Sequence, residues 1–105
     1  MANDIIGDIK QVRQSNKDAN IDVSGIVRKH ILVGTDRKVV EDYLKARKFT
    51  LNEQPTAADG SQTLVAIYTD KALINVGFHD EIRVIVVFSK NTVKSAGGKL
   101  IFRSL

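Results

Sequence analysis

The hydrophobic positions of this 105-residue chain change period near its middle, so helices come first and strands after. Ile5, Ile6, Ile9 and Val12 lie at i, i+1, i+4 and i+7, which predicts a helix over 3–15 with Asn3 as its cap; Gly7 weakens it by roughly 1 kcal/mol relative to alanine. Ser15 to Asn20 breaks the pattern and reads as a loop. Val23, Ile26, Val27, His30 and Ile31 restore the helical period over 23–31, with Asp22 placed as cap. A third helix is predicted over 36–48. Thr35 is its expected N-cap, Asp36 places a negative charge at the positive end of the dipole, and Val39, Val40, Tyr43 and Leu44 form the apolar stripe. Leu32, Val33 and Gly34 alone separate these two helices. So short a link makes an αα-hairpin or a tight corner, with Leu32 or Val33 positioned to staple onto Val39.

Pro55 and the pair Asp59-Gly60 mark 50–61 as a connecting loop, and beyond it the period becomes two. Residues 62–69 alternate Leu64, Ala66 and Tyr68 with Val65, Ile67 and Thr69, a strand with apolar character on both sides. The segment 71–80 reads as partly extended. The strongest strand signal runs over 82–88: Ile82, Val84, Val86 and Phe88 share one face, and Ile85 and Val87 lie on the other, as in a central strand. Asn91 and Gly97-Gly98 predict a long turn before a last strand over 99–104, with Leu100 and Phe102 inward.

Helices followed by strands without alternation make an α+β fold: helices packed on one face of a three-stranded antiparallel sheet, in the order helix-helix-strand-strand-strand, with an extra N-terminal helix. One domain over 1–105 is expected, with residues 1–20 as helix and loop and 21–105 as the α+β core. Its expected core contains Val27, Val39, Val40, Leu44, Val84, Val86, Phe88 and Phe102. If the N-terminal helix does not fold back onto Ile85 and Val87, that surface is open to a partner.

At 43% hydrophobic and 27% charged, the composition is that of a globular protein. Val84 to Phe88 is the longest apolar run, too short to span a bilayer. The absence of cysteine removes disulfides, thiolate nucleophiles and cysteine-ligated metals from consideration. Charge is concentrated in one place. Between residues 28 and 48, Arg28, Lys29, Arg37, Lys38, Lys45, Arg47 and Lys48 face three acidic residues, an excess of four that equals the whole net charge of the chain. Those seven residues are the candidate partner-binding set, since a basic bias favours an acidic protein, an anionic membrane surface or nucleic acid.

The residues that would carry catalysis are poorly placed for it. His30 falls on the apolar stripe of its helix and reads as a packed histidine. His79-Asp80-Glu81 gathers three ligand types, but neighbours on an extended chain point to alternate sides. Ser24-Gly25 and Ser61 lack the setting of a nucleophile elbow. Glu41 and Asp42 diverge by about 100 degrees on their helix, and Gly97-Gly98-Lys99 lacks the spacing of a phosphate loop. No catalytic residue, cofactor or metal site is expected.

The order of helix, helix, loop and meander, with Gly34-Thr35 followed by Val39 and Leu44, resembles the bacterial periplasmic α+β domains of the BamE type, related in architecture to β-lactamase inhibitory protein. The resemblance spans about residues 22–105. It implies a domain that binds other proteins and is not an enzyme, and it transfers no functional residue, because the shared positions are cap and core positions. Two departures stand beside it: the chain has no lipid-attachment cysteine, and Lys90 to Gly98 reads as a long connection where that group has a short turn.

These readings combine into a non-catalytic protein-binding domain whose partner is another, possibly acidic, protein: an immunity or inhibitor protein, or an envelope assembly factor. A bacterial, exported protein is expected, periplasmic or secreted, because Ala2-Asn3-Asp4 would suit a mature terminus after a processing site. The alternative is a cytoplasmic nucleic-acid-binding protein using the basic helices of 28–48. Against it, Glu41 and Asp42 would meet phosphate on the outer side of the recognition helix.

Overall fold

The computed structural model describes residues 4–70 and 78–104. Helix α1 (Ile5–Ser15) leads to a short strand β1 (Asn20–Asp22), then helices α2 (Ser24–His30) and α3 (Arg37–Ala46). Strands β2 (Thr50–Glu53), β3 (Gln62–Asp70), β4 (Phe78–Ser89) and β5 (Thr92–Ser104) follow. They form one antiparallel sheet in the order β1-β5-β4-β3-β2. The fold is α+β, but the sheet has five strands, and the expected three-stranded sheet is thereby corrected.

The two additional strands are edge strands with little sequence signal. In β1 only Ile21 turns inward, and its partners are Lys99, Leu100 and Ile101. In β2 only Leu51 is partly covered. Such segments are recruited by pairing with a long neighbour, and their own composition does not announce them. The expected partly extended segment 71–80 falls largely outside the described residues; its last three residues begin β4.

The last hairpin also differs from expectation. Lys90 and Asn91 have φ of 53° and 65°, the paired left-handed residues of a two-residue type I′ turn, and Ser89 pairs with Thr92. The expected long connection is therefore a tight turn, and Gly97 and Gly98 lie inside β5. Their role is close approach of α2. The Val23 amide donates to the Gly98 carbonyl at 3.0 Å, and the Gly98 amide donates to Ser24 Oγ at 3.1 Å.

One face of the sheet carries the core. Leu64, Ala66, Ile82, Val84, Val86, Phe88, Val93 and Leu100 point into a helical layer that contributes Ile5, Ile9, Val27, Ile31, Val40 and Leu44. All three helices lie on this face. For α1, whose position the sequence left open, Asp4 provides the cap by accepting from the Gly7 amide at 2.9 Å. Asn3, the expected cap, lies outside the described residues. Three polar ties then fix α1 across the layer. Asp4 pairs with Arg47 at the C-terminal end of α3 at 3.4 Å, Asp8 meets His30 of α2 at 2.6 Å, and Arg13 Nε meets Asp80 of β4 at 3.1 Å.

Two core and cap expectations fail at the corner between α2 and α3. Thr35 does not cap α3: its carbonyl accepts from the Val93 amide at 2.9 Å, so the helix begins after Asp36, and the Arg37 amide is satisfied by the Asn91 carbonyl at 2.8 Å. The loop is thus held by the β4–β5 turn. Consequently Val39 remains 57% exposed, and Leu32 and Val33 are 60% and 72% exposed, so the expected staple buries none of them. Val40 and Leu44 provide the buried stripe of α3 alone. Phe102 is half-buried, stacked under Arg13 at 5.7 Å.

Candidate functional site: the uncovered sheet face

In a strand, alternate side chains point to opposite faces, so the residues between the core positions of β3, β4 and β5 all emerge on the second face of the sheet. No described element packs there. The register places Val65 opposite Ile85 and Ile85 opposite Gly97; one step along, Thr63 opposes Val87 and Val87 opposes Ser95. Ile67 lies opposite Arg83. Val65, Ile67, Ile85 and Val87 therefore form a contiguous apolar ridge; Ile85 at its centre is 37% exposed, and the other three are half-buried. Beside the ridge lies a groove of about 630 Å³, bounded by Ile85 and Val87 on one side and by Asp22 and Ser24 on the other; a Cβ built on Gly97 would lie 2.8 Å from Ser24 Oγ, so the serine takes the space of a side chain there.

Polar groups rim this patch. Arg83 Nη2 donates to Glu81 Oε2 at 2.8 Å, and Asp22 is the cross-strand neighbour of Lys99. The Asp22 carboxyl is held below the usual carboxylate range, first by the Ser24 hydroxyl and then by the Ser24 amide, with Arg28 and Lys99 contributing as positive charges. Asp59 is lowered in the same way by the Ser61 amide and hydroxyl, with Lys94 nearby.

Of the seven basic residues of 28–48, Arg28, Lys29, Lys38, Lys45 and Lys48 are exposed, and Arg37 and Arg47 are half-buried. Arg37 is turned inward: it bonds to Glu41 at 3.3 Å and to Gln62 and Glu53, and its guanidinium lies 5.4 Å from the centre of the Phe88 ring. Arg47 stacks on Tyr43 at 3.6 Å, donates to the Tyr43 carbonyl and pairs with Asp4. Both are structural. Lys48 has φ of 70° and terminates α3, where the Phe49 amide donates to the Leu44 carbonyl and the Lys48 amide to the Lys45 carbonyl, a Schellman closure. Lys38 is paired with Asp42 at 3.2 Å, and Lys45 stands one further turn along the same side. Arg28 and Lys29 are exposed on α2. The five outward cations are thus divided between two helices and a helix end, and an acidic residue interrupts the row on α3.

His30 ties the three helices together. The Ile5 amide donates to the Tyr43 hydroxyl oxygen at 3.3 Å, Tyr43 lies 3.4 Å from His30 Nδ1, and His30 Nε2 lies 2.6 Å from Asp8. A neutral imidazole with its proton on Nε2 satisfies every member of this chain, since Nδ1 can then accept from the Tyr43 hydroxyl. At the other histidine, Asp80 and Glu81 separate as strand geometry requires: Asp80 meets Arg13 on the core side and Glu81 meets Arg83 on the uncovered side. Among the described residues no three His, Asp or Glu side chains gather as a metal site, and no helix is long and apolar enough to cross a membrane.

The ridge is partly legible in the sequence, where alternation sets Ile85 and Val87 on the second face of their strand. Alternation puts Val65 and Ile67 on the opposite face from Leu64 and Ala66, but only the strand register joins them to Ile85 and Val87. The chain matches no family model, no curated protein and no solved structure.

Proposed function

We propose that this chain is a non-catalytic protein-binding domain and that it engages its partner through the uncovered sheet face. The observation that carries this reading is the alignment of Val65, Ile67, Ile85 and Val87 in one apolar ridge with a polar rim, on a sheet whose other face is filled by three helices. Contiguous apolar surface rimmed by polar groups is what a protein interface presents. The resemblance to BamE-type domains implies the same class of function. The basic helices become the secondary candidate, because two of their seven cations are committed within the fold.

Immobilised protein tests this directly. The native chain is expected to retain a distinct partner from cell extract; a variant with Ile85→Glu and Val87→Glu, of unchanged circular dichroism, should lose it, and a Lys38→Glu/Lys45→Glu variant should keep it. Equal retention by the ridge variant would reject the face as the binding surface.

A further inference from the structure

We infer that α1 and the linker after it form a latch that opens as one body, turning at the step from Asp18 to Ala19, while the sheet, α2 and α3 stay folded. The other two helices are joined to the sheet through backbone groups. At the start of α2 the Val23 amide donates to the Gly98 carbonyl, and at the start of α3 the Arg37 amide donates to the Asn91 carbonyl. Among the described residues, no backbone–backbone hydrogen bond joins α1 to another element. The linker turns back on the helix in the same way. The Asn16 amide donates to the Val12 carbonyl, Lys17 Nζ to the Arg13 carbonyl at 3.0 Å, and Arg13 Nη1 to the carbonyls of Asn16 and Asp18. The first main-chain bond to the sheet comes one residue later, where the Ala19 carbonyl accepts from the Phe102 amide at 2.8 Å.

Side chains therefore hold the latch shut: the buried Ile5 and Ile9, the Tyr43 hydroxyl on the Ile5 amide, and the ties of Asp4, Asp8 and Arg13. Two of these ties are incomplete. Arg13 Nη2 is buried without a hydrogen-bond partner, and Arg47 Nε, 3.4 Å from Asp4, makes no hydrogen bond either. Opening returns both N–H groups to water and so relieves the cost of a buried, unpaired donor. An element with two buried apolar residues, unsatisfied polar groups and a hinge at its end opens locally, below the free energy of global unfolding. The opening uncovers Tyr43, His30 and the apolar surface that Ile5 and Ile9 close, so α1 gates access to the helical layer. This layer lies on the face of the sheet opposite the ridge, and the inference is independent of the reading of that ridge as the binding surface.

Native-state hydrogen exchange on the full chain, followed through low concentrations of denaturant, tests the inference. The amides of Ile9 to Arg13 should share one opening, at least about a hundredfold more frequent than that of Val84 and Val86 in β4, and insensitive to denaturant where β4 is steeply sensitive. Tyr43→Phe, which removes the hydroxyl between Ile5 and His30, should speed exchange throughout α1 by about tenfold without giving it a denaturant slope. Asp80→Asn, which loosens Arg13 at the other end of the helix, should do the same. Amides of α1 that follow Val84 and Val86 along the denaturant axis would overturn the inference, since the helix would then open only with the whole fold. So would a gradient of exchange running from one end of α1, which is fraying, or indifference to both substitutions.

Discussion

Val27 occupies the space that Gly98 leaves empty: a Cβ built on Gly98 would lie 2.8 Å from Val27 Cγ2, and equally 2.8 Å from the Arg83 carbonyl oxygen. The helix and the two central strands are thus in contact at a position that admits no side chain. Gly98→Ala should destabilise the protein by about 1–3 kcal/mol, the usual cost of overpacking, since the carbonyl belongs to a paired strand and cannot move aside cheaply. Denaturant unfolding measures it. A change below about 0.5 kcal/mol would mean that α2 can withdraw from β5 without cost.

Lys48 offers the opposite sign. It holds a left-handed conformation at the end of α3, where glycine carries no Cβ penalty, and its side chain is exposed. Lys48→Gly should therefore leave stability unchanged or raise it by up to about 1 kcal/mol, the relief of strain being partly offset by the greater freedom of glycine in the unfolded chain. A loss of more than 1 kcal/mol would show that the lysine side chain contributes what its exposure does not suggest.

The Asp22 carboxyl gives a pH dependence with a definite direction. Its folded-state value is depressed, so the stability it contributes is present above the ordinary aspartate range and is lost as the pH falls through the lower folded value. Asp22→Asn should accordingly differ from the native chain at neutral pH, and the two should converge as the pH falls below about 4. Parallel thermal unfolding curves across that range would refute the assignment.

Where period and burial coincide, the fold could be read from the sequence. Val84, Val86 and Phe88 are in the core as their alternation requires, and Val40 and Leu44 form the buried stripe of α3. Val39 shows the limit of the method: it lies beside Val40 on the helix, but the backbone tie between Thr35 and Val93 sets the start and roll of α3, and that tie involves no side-chain pattern. The same holds for β1 and β2, which exist because Lys99 to Ile101 and Leu64 to Ile67 offer them unpaired edges. Gly97-Gly98 misled for a related reason. Two glycines signal a turn in isolation, and only the approach of Val27 and Ser24 from another element explains them within a strand. As for the site, a local count of cations marked 28–48, but a count cannot tell that Arg37 and Arg47 point inward to Glu53, Gln62 and Asp4.

The claim that the uncovered sheet face is the binding surface is tested most directly by methyl NMR, recorded as the captured partner protein is titrated in. Shifts concentrated at Val65, Ile67, Ile85 and Val87, with Val27, Val40 and Leu44 of the helical layer unchanged, are the expected result. Perturbations confined to Leu32, Val33 and Val39 at the corner of the basic helices, with Ile85 and Val87 silent, would contradict it.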